Sequence, residues 1–139
     1  MRKPLMLMAV LLTIPAWAAT PPDPGLRRAL LATAHIRTQA ELGHPIRFVV
    51  RELSTSGDWA FLHASMQEAN GTAVDYTGTP YAEAASRGHK SPNYAALMHG
   101  EHGHWTIVTD SVGPTDMAWQ DWASRYHAPA DLFPMPSGE

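Results

Sequence analysis

Only one stretch of this chain has the length and period of a full helix, and it precedes every stretch that alternates like a strand. The apolar or small positions Leu26, Ala29, Leu30, Thr33, Ile36 and Ala40 recur at helical spacing. Pro24 suits a first helical turn, where its missing N–H costs nothing. Gly43 stands where a helix C-cap wants a positive φ, and Pro45 blocks continuation. The pattern predicts one amphipathic helix over residues 24–42.

Beyond Pro45 the chain is cut into strand lengths. Ile46, Phe48 and Val50 alternate with Arg47, Val49 and Arg51, as in a half-buried strand. A turn through Gly57 leads to residues 59–66, with Trp59, Phe61 and His63 on one face and Ala60, Leu62 and Ala64 on the other. A segment apolar on both faces belongs in the middle of a sheet. Asn70-Gly71 is a strong hairpin signal and predicts a returning strand over 73–77. Residues 79–90 read as a short helix or an irregular lobe. Residues 94–99 and 105–110 predict a second hairpin across Gly100-Glu101-His102-Gly103. Thr115 or Asp116 can cap a helix over residues 117–126, on which Trp119, Trp122 and Tyr126 form one aromatic stripe. The expected fold is α+β: an N-terminal helix packed on a curved antiparallel sheet of about four strands, with a short Trp-bearing C-terminal helix. Cystatin-like and nuclear-transport-factor-like folds share this element order.

The first residues carry a different signal. Arg2 and Lys3, the apolar stretch 5–14 and Ala16-Trp17-Ala18 succeed one another as in a cleaved secretory signal. A membrane span needs roughly 20 apolar residues, and Pro15 closes this stretch earlier. Cleavage is expected after Ala18, with Ala19 the near alternative. The expected organisation is signal peptide 1–18, flexible leader 19–25, one domain over 26–134 and a tail 135–139, in the periplasm or secreted. With no cysteine in the chain, a lipid anchor at the cleavage site is excluded, and so are disulfides, thiol nucleophiles and thiol redox chemistry. Removing 18 of 139 residues leaves 121. A chain of that size buries roughly 65% of its unfolded surface, enough for a core without staples. Losing Arg2 and Lys3 lowers the cationic count from 10 to 8 against 13 acidic residues, a formal net charge of −5. That balance repels nucleic acid and anionic lipid.

Chemistry-bearing residues are sparse. His99-Gly100-Glu101-His102-Gly103-His104 gathers three imidazoles and a carboxylate at one hairpin. His99, His102 and His104 are the candidate ligands for zinc, copper or nickel. A solvated turn whose polar residues happen to be histidines explains the same string. Asp116, Trp119 and Trp122 are the candidate binding residues, either lining a cleft and anchoring an interface or plugging one end of the core. His63 is a candidate acid–base residue if Asp75 or Asp110 lies beside it. No G-x-S-x-G, H-E-x-x-H or P-loop is present. Asn70-Gly71-Thr72 matches a glycosylation sequon, which the turn already explains.

With RFVVREL, GDWAFLHA and GPTDMAWQDWASRYHAPADLF in view, the chain resembles a group of small exported bacterial proteins of unassigned function. The resemblance runs over about residues 26–134 and is most specific over 113–133. It implies a periplasmic or secreted bacterial setting and brings no catalytic residue to carry over. Similar chains often have Asp-Gly at the hairpin turn and Arg before the Trp. Glu101-His102-Gly103-His104-Trp105 departs from that, so the histidines look peculiar to this chain. The expected function is a non-catalytic exported binding or interaction protein of inhibitor, immunity or envelope-accessory type, its partner an envelope protein. The alternatives are a histidine-hairpin metal-binding protein and a small-cavity proton-transfer enzyme.

Overall fold

A computed structural model describes residues 19–134; the expected signal segment 1–18 and tail 135–139 lie outside the described residues. Helix α1 spans Pro24–Leu42, followed by strands β1 (Arg47–Ser56) and β2 (Trp59–Gln67), the short helix α2 (Ala82–Ser86), strands β3 (Asn93–Glu101) and β4 (His104–Val112), and the short helix α3 (Trp122–Tyr126). The four strands form an open antiparallel sheet in the order β1-β2-β3-β4. The architecture is α+β, as the element order predicts.

The limits of α1 are set by its ends. Asp23 accepts a hydrogen bond from the Leu26 N–H at 2.8 Å, Pro24 begins the first turn, and Gly43 closes the helix at φ 78. Its buried face is Leu30, Ala34, Thr38 and Leu42. This corrects part of the expected stripe: Ile36 is 74% exposed, and Ala29 and Ala40 face solvent. Thr38 can be buried because its hydroxyl donates back to the Ala34 carbonyl at 3.0 Å.

Two cores sandwich the sheet. On the α1 side lie Leu62, Ala64, Met66, Tyr94, Ala96 and Met98. On the other side Phe61, Ala95 and Leu97 are covered by Trp122, Ala128, Leu132 and Phe133 from the C-terminal segment. Fully burying a Leu, Phe or Met side chain contributes about 1.5–3 kcal/mol, so β2 and β3 are the most strongly held strands. Their placement in the middle agrees with the two-sided apolar pattern of β2.

Three local expectations are corrected. Residues 73–77 do not form a strand; one bridge, Gln67 to Ala73, is all the pairing there. The Met66 carbonyl accepts from the Val74 N–H, but the Met66 N–H is taken by the Pro92 carbonyl, and β3 occupies the rest of that edge of β2. The C-terminal helix is limited to Trp122–Tyr126, without a side-chain cap, while residues 118–121 form a turn before it. The expected leader is tied down: Thr20 exchanges two backbone hydrogen bonds with Thr55, at 2.9 and 2.8 Å.

Candidate functional site

The C-terminal segment covers only part of its face of the sheet. Ser54 anchors it from below, donating through Oγ to the Leu132 carbonyl at 2.8 Å. Trp119 rests on Phe61 and His63, with ring centroids 5.2 and 4.8 Å apart. Toward the β3–β4 turn the cover ends, leaving an open groove of about 360 Å³ lined by Trp59, His99, Glu101, His104, Thr106 and Val108.

Strand register explains this set. Glu101 pairs with His104 and His99 with Thr106, which puts all four side chains on one face of the hairpin. Both strands are longer than the sequence predicts, so the turn shrinks to His102-Gly103, both at positive φ (53 and 77). That is the mirror-image turn preferred by two-residue hairpins. His102 is exposed at this turn and is not among the residues lining the groove. The expected trio is therefore divided: His99 and His104 share the groove with Glu101, while His102 sits apart. His99 packs edge-on against Trp59 at 4.7 Å. Among the described residues, no group of three or more His, Cys, Asp or Glu stands ready to hold a metal ion.

The three binding candidates fall in different environments. Trp122 is 5% exposed and packs between Phe61 and Phe133, a core residue instead of an interface anchor. Trp119 is half-buried and borders an apolar cleft of about 300 Å³ with Met117, Ala123, Phe133 and Pro134. Asp116 is exposed on the preceding turn.

The acid–base pair expected around His63 does not assemble. His63 lies on the C-terminal-segment face, beneath Trp119. Asp110 faces α1 across the sheet, where its carboxylate meets Tyr94 and Arg37. Asp75 belongs to the loop after β2, near Glu68 and His44. Burial first, and the charge of Arg51 second, hold His63 below its ordinary pKa of 6.5, so it is neutral at neutral pH.

A polar cluster that the residue pattern does not reveal lies between α1 and β4. Arg37 Nε is 2.6 Å from Glu41 Oε1 and 3.4 Å from Asp110 Oδ2. Tyr94 donates to Asp110 at 2.9 Å, and Tyr81 donates to Glu41 at 3.2 Å. The Arg37/Glu41 spacing of four residues is visible in sequence; its joining to Asp110 is not.

No protein-family model, curated protein or solved structure matches the chain.

Proposed function

We propose that this is an exported, non-catalytic binding protein of the cell envelope whose seat is the groove at the β3–β4 turn. The observation that carries the reading is the uncovered stretch of sheet, where Trp59, His99, Glu101 and His104 border one groove while the neighbouring sheet is sealed by the C-terminal segment. The order of charged, apolar and small residues before Thr20 supports export. The occupant that fits is a protein partner presenting a Lys or Arg side chain. Trp59 supplies a ring for a cation, Glu101 supplies the opposite charge, and the net acidity of the domain favours a basic partner. A photo-crosslinker at Thr106, used in the native envelope, tests this. A specific product that is absent with the crosslinker at Ala32 on α1, and that Glu101→Lys abolishes, is expected. No product, or one insensitive to Glu101→Lys, sinks the reading.

A second reading is favoured by the register alone: binding of zinc, copper or nickel by His99, Glu101 and His104. Glu101 and His104 are exposed and free to turn about χ1, so a shared ion asks only for side-chain rotation. Calorimetric titration with zinc chloride separates this set from the trio of histidines. His99→Ala and His104→Ala should abolish binding and His102→Ala should leave it; no heat with the wild-type protein removes the reading.

A further inference from the structure

We propose that the strip Arg47, Val49 and Arg51 on the edge strand β1, completed by Ser65 of β2 and Asn93 of β3, is a docking surface for an acidic segment of a protein partner. It is separate from the groove at the β3–β4 turn and lies toward the opposite end of the same sheet face. Val49 stands opposite Ser65, and Ser65 opposite Asn93, so the three share one row. Arg47, two positions before Val49, is on the same face. Arg51 is the extra residue where the register of β1 shifts between Val50 and Glu52, and its Nε donates to Ser65 Oγ at 2.9 Å. The bulge therefore aims Arg51 at the row. The C-terminal segment meets this face at Trp119, on His63, and leaves Val49 47% exposed.

Donors dominate the row. Bonding through Nε leaves the terminal Nη groups of Arg51 as a planar pair, a geometry that meets a carboxylate. The Ser65 hydroxyl donates onward to Asn93 Oδ1 at 3.3 Å, which commits the amide oxygen and leaves the NH2 group to donate. Among the described residues the ion pairs are made by Arg37, His44, Arg87 and Arg125, and neither Arg47 nor Arg51 takes part in one. Glu52 follows Arg51 in sequence but borders the cleft of Asp131 and Leu132. In a chain with 13 acidic and 10 cationic residues, the strip is a local reversal of sign, complementary to carboxylates.

The edge position points to an extended segment as the occupant. Among the described residues, the outer side of β1 is paired at Thr55 alone, by Thr20. That pairing shows that the edge accepts an extended chain. Alternate residues of a strand are roughly 6.5–7 Å apart and share a face. Arg47 and Arg51 thus match carboxylates on one face of an extended partner, with Val49 giving an apolar contact between them. Charges on an edge strand also guard it against self-pairing. A donor row that continues to Asn93, two strands in from the edge, exceeds what that role requires.

The probe is a short capped peptide alternating Glu and Val, with a Gln-for-Glu counterpart as control, added to isotope-labelled protein. The NMR signals of the Arg51 Nε–H and the Asn93 side-chain amide should shift saturably with the Glu peptide and stay with the Gln peptide. Added salt should weaken the binding. Arg51→Gln should weaken it about tenfold, the loss of one charge-assisted pair, while Arg28→Gln on α1 leaves it unchanged. Shifts with neither peptide, or equal shifts with both, overturn the proposal. So does inorganic phosphate that moves the same signals as strongly as the Glu peptide, and so does equal weakening by Arg28→Gln and Arg51→Gln. The comparison of the two peptides uses the wild type alone and decides even if a variant fails to fold.

Discussion

The indole of Trp105 lies against Gly100, its cross-strand partner, so closely that a Cβ on Gly100 would come within 2.8 Å of the ring. Gly100 therefore serves close approach, and the turn itself is made by His102 and Gly103. Gly100→Ala must displace the indole or the strand, and overpacking of this kind costs about 1–3 kcal/mol. Chemical denaturation should show that loss, while Gly100→Ala combined with Trp105→Leu should recover part of it.

Ser54 holds the C-terminal segment to β1 across 78 positions of sequence. Replacing it by Ala leaves the buried Leu132 carbonyl without that donor, at a cost of about 1–3 kcal/mol. The expected signature is local: faster amide exchange around Leu132 and Phe133, with the interior of β2 and β3 less affected. Uniform acceleration over the whole sheet would show that this segment does not open separately.

Glu68 accepts from the Asp75 N–H at 2.8 Å and pairs with His44 at 2.9 Å. The Asp75 N–H is the larger cause holding its carboxyl below the ordinary 4.5. A depressed folded value means that its stabilisation is complete above 4.5 and drains away as pH falls toward the folded pKa. The wild type should therefore lose more thermal stability than Glu68→Gln between pH 5 and pH 3. Equal losses would mean that the carboxylate contributes nothing there.

His63 acts in a higher window. Its neutral form is favoured by burial, so the unfolded chain takes up a proton first as pH drops below 6.5, and stability declines with acidification. His63→Gln should flatten the melting-temperature profile just below pH 6.5. Tryptophan emission should also shift over that range in the wild type, because the ring packs on Trp119.

Local chemistry was readable without the fold. Pro24 and Gly43 mark the ends of α1 where the structure has them, because capping depends on the few residues at a helix end. The two-sided apolar pattern of residues 59–66 located a central strand for a similar reason: alternation reports burial on each face. The polar cluster was out of reach because of one bulge. Strict alternation from Trp105 and Ile107 would send Asp110 away from α1, but Val108 is an extra residue in β4, and the register shift between Leu97 and Met98 turns Asp110 and Val112 inward. A bulge is decided by pairing with the neighbouring strand, which no single segment encodes. The same holds for the aromatic stripe: spacing shows Trp119 and Trp122, both of which reach Phe61, while only the packing of the C-terminal segment decides that Trp122 is sealed and Trp119 half-covered. Sequence alone thus determined the ends of α1, the central place of β2 and the absence of disulfides, since these rest on neighbours along the chain; the strand expected over 73–77 and the start of the C-terminal helix were not fixed that way. Tertiary structure decided which helix stripe is buried, which histidines share a groove and which carboxyl groups meet, because those depend on strand register and on how far the C-terminal segment extends over the sheet.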